Sequence, residues 1–468
     1  MIIQINTFMK QINITLKPFV YLICLCVLMS CENEFLDVRP DKALVVPQTL
    51  DDFQAILDNT SVMNVAPGLN EVSADDFLAT EAAWGVLSEV EKNCYIWQPD
   101  LFGSQPSVEW NYPYQQVFYA NIVLNGLSAL KPDMAQISRW QNLHGSALFY
   151  RAIAFYHLVQ IFASPYGSGD QASQPGIPLR LDQGIEKKST RSSLKESYDQ
   201  IEKDLLMAVE LLPERTNYKS RPSKAAAFAL LSRLYLTMGN FEKSLVYADS
   251  SLKINSQLMD YSLLDSTSLS PFPSALPNGN VEVLFHTAKT PYLFETIPTV
   301  VVDPLVFSSF AHEDLRRVLF FNNRGNGIIT FKGSYNSFNN GFAGLATDEI
   351  YLIRAECFTR SGKIAEAQDD LNFLLASRWK KGSFTPVKED SQDALLLRII
   401  NERRKELVGR GLRWTDLRRL NLDARFAKTH TRRIGGHTSS LSPNDVKYVF
   451  PIPDNEILMN GLQQNPRE

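Results

Sequence analysis

Many residues in this 468-residue chain carry reactive groups, but few are spaced for catalysis. There is no GxSxG elbow, P-loop, HExxH or GxGxxG run, and the six histidines show no ligand spacing. His157 falls in the middle of a helical pattern, where a packed or surface role is commoner than a ligand role. Asp303 and His312-Glu313-Asp314 could suggest a metal or acid–base site, although solvated loop charge is the commoner meaning of such a cluster. The 51 acidic residues guarantee neighbouring carboxylates somewhere, so a glycosidase-type pair has neither positive support nor an argument against it. No cofactor or metal is expected. One cysteine is placed for a covalent event. Lys10 and Lys17 precede an apolar run from Pro18 that is too short to span a bilayer comfortably, and it ends in Leu28-Met29-Ser30-Cys31. That order looks like a bacterial lipobox, with Met29 its least typical member. On this reading residues 1–30 are a signal peptide, and the Cys31 thiol is acylated at the new N-terminus. Acyl chains on both thiol and amine would hold the protein to a membrane durably. The alternative is an ordinary signal peptide with an incidental cysteine.

Any site has to be carried by helices. Arg221 to Leu252 holds two helical patterns broken at Gly239-Asn240. Ala227, Leu230, Leu231, Leu234 and Tyr235 share one face, and Phe241, Leu245, Ala248 and Leu252 repeat the spacing on the return. Small Ser232, aromatic Tyr235, Gly239, aromatic Phe241 and small Ser244 follow a tetratricopeptide-type order. A second copy runs from Asp348 to Leu375. Setting Gly362 on Gly239 brings Ala355 onto Ser232, Phe358 onto Tyr235, Ile364 onto Phe241 and Ala367 onto Ser244. Two such hairpins imply a stacked helical scaffold, because one hairpin cannot bury its own apolar face. Further helices are expected from Thr49, from about Pro113, over 144–162 and over 192–212. The fold class is therefore mostly α with little β. Its helical repeats are expected at about 113–260 and 347–420, with a loop-rich insertion at about 262–346.

Composition agrees with a large globular body behind a short tether, 31–48. The chain is 44% hydrophobic with a net charge of −4, and its basic runs are matched by acidic ones, which disfavours nucleic acid. After the signal no apolar segment is long enough to cross a bilayer. No Ser/Gly linker divides 49–468, so it reads as one domain. Cys94 and Cys357 read as small buried hydrophobes.

The motifs also come in a familiar order. Arg151-AIAFYHLVQIF-Ala163, Pro175-GIPL-Arg180, Arg221-PSKAAAFALLSRLYLTMGNFEKSLVYAD-Ser250, Asn401-ERRKELVGRGLRWTDLRR-Leu420 and Tyr448-VFPIPDNEI-Leu458 with Gln464-Asn465-Pro466 follow one another. Together with the lipobox and Phe35-Leu36-Asp37, they resemble the SusD/RagB family of nutrient-capturing surface lipoproteins. The resemblance covers nearly all of the mature chain apart from roughly 262–346. It departs at Ala163-Ser164 and Thr415, neither of which is at a functional position. Physically, Leu396, Ile400, Arg403 and Leu407 share one face, so Arg403 points at the core and needs Asp416 or Glu406 as partner. Arg398, Glu402, Glu406 and Arg410 are expected to run along another face as i,i+4 ion pairs. Trp414 is expected in the core.

The resemblance implies capture without chemistry. A protein of this kind lies over a SusC-like TonB-dependent barrel in the outer membrane, on the cell surface and lipid-anchored. It closes the barrel as a lid and holds an oligosaccharide or peptide. A secreted helical-repeat glycoside hydrolase or peptidase is the alternative. The ligand loops are then sought where helical periodicity fails, at 66–110 and 262–346. Asp75, Asp76, Trp84 and Trp97 are the candidates in the first stretch. Tyr292, Phe307, Phe331 and Tyr335 are those in the second, among further aromatics such as Phe294, Phe310 and Phe338. Aromatic faces suit the CH-rich faces of sugar rings, and carboxylates suit their hydroxyls. Each aromatic also has a reading as local core. The insertion contains no tryptophan, so a broad stacking platform is not obvious, and a peptide or a small glycan stays open.

Overall fold

The hairpin at 221–252 forms as its spacing dictates. In the computed structural model its helices are Lys224–Thr237 and Phe241–Ile254. Ser223 Oγ caps the first by accepting from the Ala226 amide, and Gly239 reverses the chain at φ +72°. The small residues let the helices close. Ser244 Oγ donates to the Ser232 carbonyl and Ser251 Oγ to the Ala225 carbonyl, each at 2.9 Å. The second hairpin, Thr347–Arg360 and Ile364–Ala376, turns at Gly362, φ +77°, with Ala355 and Ala367 fully buried. Arg354 ties the hairpins together, bonding Asp370 in its own hairpin and Asp249 in the other.

The structure describes residues 47–184, 188–277, 279–333, 335 and 341–467. The signal peptide, Cys31, most of the tether and Phe338 lie outside them. Thr49–Glu468 packs as one unit. Thr49 opens the helix Leu50–Leu57 with a capping box to Asp52. The helix expected from Pro113 instead runs Val108–Ala129 and carries the proline inside it. Ile137–Phe162 starts earlier than its apolar stripe suggests and packs between that helix and Leu194–Leu211. Cys94 and Cys357 are buried free thiols, and Trp414 is in the core, 1% exposed.

Among the described residues strand structure is confined to two-stranded pairs, and these decide where the loops go. Val65–Ala66 runs parallel to Ala288–Lys289, and Phe77–Ala79 runs antiparallel to Val300–Val302. The early loops and the insertion are thereby stitched into one region.

A buried network of charge stands where a row of i,i+4 ion pairs along one helix was expected. Arg398 pairs with Glu402 at 3.4 Å, as the i,i+4 spacing suggests. Glu402 and Glu406 are themselves buried, and two carboxylates on one face need cations from elsewhere. Arg316, fully buried, bonds Asp314, Glu402 and Glu406, while Arg378 bonds Glu406 and Glu282. Arg410 turns to Asp348 instead of Glu406. Arg403 reaches the core and takes Asp416 at 2.9 Å, with Glu349 at 3.3 Å.

Candidate functional site

The stitched region encloses a cleft of about 230 Å³. Its floor is aromatic: Phe77 from the strand pair Phe77–Ala79 with Val300–Val302, Phe294 from the short helix Leu293–Thr296, and Phe331 from a hairpin formed by Phe321–Asn323 and Ile329–Phe331. Phe77 and Phe294 are buried and Phe331 is half-buried. Phe77 meets Phe331 edge-on at 5.7 Å, and Phe321 supports it at 6.1 Å. Gly409 lies flat against the same ring. Its φ is +72°, and a Cβ there would stand 2.5 Å from Phe331, so the close approach requires glycine.

Polar groups converge on this floor. Lys289, set by its pairing beside Ala66, donates to Glu71 at 3.1 Å and to the Gly409 carbonyl at 2.8 Å, and pairs with Glu295 at 2.9 Å. Burial opposes its charge, but Glu295 and Glu71 outweigh burial and lift its pKa above the ordinary lysine value. Burial also pushes Glu295 up to about 7, against the pull of Lys289. Asn322, Arg324, Thr330 and Lys332 form the hairpin side of the cleft. Glu295 is the one carboxylate among the described lining residues, and it is tied to Lys289. The lining thus presents no carboxylate pair of the kind glycoside hydrolysis uses. An apolar floor with a few convergent polar groups is the composition of a binding site.

Of the eight residues expected at the ligand, the structure brings only Phe331 into the cleft. Asp75 and Asp76 are corrected to bolts. Asp75 bonds Arg413 at 2.6 Å and pairs with Arg404 at 3.1 Å, and Asp76 pairs with Arg404 at 2.7 Å. Burial works against the Asp75 charge, yet Arg413 and Arg404 hold it far below the usual carboxylate range. Asp76 is deeper, and burial raises it to about 6 despite the same arginines. These pairs fasten the early loop to the helices of the Asn401–Leu420 signature. Trp97 is corrected as well. It is 4% exposed, its Nε1 donates to the Ser73 carbonyl, and Arg432 covers its ring at 4.5 Å. Tyr335 is fully buried, with its hydroxyl 2.5 Å from Glu282 and Arg410 over its ring. Phe307 has its face covered by Arg317 at 4.1 Å and its edge on Phe321. Tyr292 donates its hydroxyl to Glu109 at 2.9 Å and packs beside Gly68. Trp84 is half-buried outside the cleft, against Gly435 and His437 of the hairpin His430–Leu441.

Phe77, Lys289, Asn322, Arg324 and Thr330 line the cleft and are not among the residues expected there. The turn Gly325-Asn326-Gly327 was a legible hairpin signal that would have placed three of them. A larger, more open groove of about 690 Å³ lies beside the helix Val108–Ala129, with Trp110, Tyr114 and Phe118 on its wall. There Tyr114 bonds the Pro178 carbonyl, and Asn121 bonds the carbonyls of Arg180 and Asp182. Those side chains hold an extended segment to the helix.

A profile of the family described as "Starch-binding associating with outer membrane" matches residues 34–236, and one described as "SusD family" matches 347–467. SusD-like protein P2 of Formosa agariphila is 24% identical over 425 residues, covering 77% of this chain and 80% of that protein. A putative sugar-binding protein from Bacteroides vulgatus superposes with a TM-score of 0.74 at 21% identity, over 90% of this chain and 99% of its own. A laminarin-binding SusD-like protein superposes with a TM-score of 0.65 at 18% identity, over 90% of this chain and 99% of its own. These superpositions show a shared fold.

Proposed function

The chain belongs to the SusD/RagB family, and on that footing we propose that it is a lipid-anchored surface protein that captures an oligosaccharide. The ligand is taken in the cleft on Phe331 and passed to a SusC-like TonB-dependent barrel. The observation that carries this reading is the half-buried Phe331 ring, fixed by Gly409 and two further rings, facing a cleft edged by Asn322, Thr330 and Arg324. A sugar's CH face stacks on such a ring, and its hydroxyls take the edge groups. A volume of 230 Å³ is below the ~300–1,000 Å³ of sites that engulf a whole ligand, so one end or one unit of a chain enters. Recognition needs no turnover, which agrees with the lone, ion-paired Glu295.

Anchoring through acylated Cys31 places the protein on the outer membrane. The described residues contain no helix long and apolar enough to cross a bilayer. The sugar-binding descriptions of the Bacteroides vulgatus protein and the laminarin-binding protein favour a glycan over a peptide. The test is calorimetric titration with oligosaccharide and peptide panels, each hit incubated overnight and examined for breakdown. An oligosaccharide hit that stays intact and is lost on Phe331→Ala supports the reading. Peptide-only binding, product formation, or binding indifferent to Phe331→Ala counts against it. Gentle membrane extraction should recover the protein with a TonB-dependent barrel, and recovery only as free monomer would contradict the delivery role.

A further inference from the structure

The cations around the cleft are not all engaged alike. Lys289 is matched by Glu71 and Glu295. Arg324 and Lys332 line the same cleft; Lys332 has Asp265 near it, whereas among the described residues Arg324 has no carboxylate within ion-pair distance. Lys332 Nζ donates to the carbonyls of Ser266, Ser268 and Val318, so its protons are used, and Asp265 offsets its charge. Arg324 is different. Its Nε donates to Thr330 Oγ1 at 3.0 Å, and Thr330 is itself 5% exposed. Its terminal nitrogens are not engaged by the described residues.

The backbone makes that placement firm. Phe321–Asn323 pairs with Ile329–Phe331, the Arg324 amide donates to the Ile328 carbonyl at 2.9 Å, and Gly325, Asn326 and Gly327 all turn at positive φ. A tight hairpin therefore carries the oriented guanidinium on the same ladder as Phe331, one wall supplying a ring and a fork of free N–H groups. A guanidinium presents paired donors in a plane that matches carboxylate and sulfate oxygens. In a partly desolvated cleft the charge of that fork attracts an anion more strongly than it would in open water.

We propose that the unit held in this cleft is an anionic sugar, its carboxylate or sulfate ester gripped by the Arg324 terminal nitrogens while its ring lies on Phe331. This rests on the cleft being the ligand site, as proposed above, and adds the chemical class of the ligand.

The test titrates the purified chain with four probes. These are a hyaluronan tetrasaccharide (uronate only), a κ-carrageenan tetrasaccharide (sulfate only), and neutral laminaritetraose and maltotetraose. Arg324→Gln and Phe331→Ala are titrated alongside. The expected result is binding of at least one acidic probe, weakened about tenfold or more by Arg324→Gln and by a rise in salt, and lost on Phe331→Ala. Which acidic probe binds separates carboxylate from sulfate recognition. A neutral probe that binds best, is lost on Phe331→Ala and ignores Arg324→Gln would overturn the anionic assignment while leaving the cleft in place. Binding that ignores both substitutions, or no binding to any probe, would remove the cleft reading and this inference with it. Arg324 is exposed on a turn, so Arg324→Gln should fold, and circular dichroism of each variant separates lost binding from lost structure.

Discussion

Glu109 offers a quantitative test of how the cleft's supports are built. It is fully buried, and it accepts from the amides of Gly68 and Leu69 at 3.0 and 3.1 Å and from the Tyr292 hydroxyl at 2.9 Å. Burial pushes its pKa up from 4.5 to about 7, outweighing those donors. The folded pKa lies above the unfolded one, so the folded state holds its proton longer. Stability from this group is complete below about pH 4.5 and is lost as pH rises through about 7. That interval corresponds to about 3 kcal/mol at ~1.4 kcal/mol per pH unit. Glu109→Gln keeps the shape and removes the titration, and its amide can still accept from the two backbone N–H groups and donate to Tyr292. Urea unfolding from about pH 5 to 8.5 should show the variant close to wild type at the acid end. It should then gain on wild type as pH rises, by up to about 3 kcal/mol. A gap that is constant, or that closes with rising pH, would refute the claim that burial dominates at Glu109.

Arg316→Met leaves Asp314, Glu402 and Glu406 buried without their shared cation, and should cost about 3–5 kcal/mol in chemical denaturation; a loss under ~1 kcal/mol would mean the network is not energetically coupled. Gly409→Ala strains a backbone at φ +72° and pushes a Cβ into the Phe331 ring, so stability should fall by about 1–2 kcal/mol and oligosaccharide affinity by about tenfold. Unchanged affinity there would detach Gly409 from the site. Burial pushes the thiols of Cys94 and Cys357 up to about 12, so a disulfide reagent at about pH 8 should label neither until denaturant is added. Rapid labelling of the native chain would contradict their burial.

The scaffold was legible because it is local. Gly239 and Gly362, with small and aromatic residues at matched offsets, encode two hairpins within a few turns of helix, and the structure returns both. Arg403 and Trp414 were also legible, since a residue on an apolar helical face has one direction to point. The site was harder to read because its geometry depends on non-local pairing. Nothing near Asp75 announces that Arg404 and Arg413, more than three hundred residues later, will claim its carboxylate. Trp97 and Tyr335 were aromatic residues in loops, yet Arg432 and Arg410 cover them from distant segments. Burial of an aromatic in an irregular stretch leaves no periodicity to read. Phe331 differed only in its partner: Gly409 against one face leaves the ring beside open space.

A crystal structure with the tightest-binding oligosaccharide tests the central claim most directly. The account predicts a sugar ring within about 4 Å of Phe331, with polar contacts to the hairpin groups Asn322, Arg324 or Thr330. Density instead in the groove beside Trp110 and Tyr114, or against Trp84, with the Phe331 cleft empty, would contradict it.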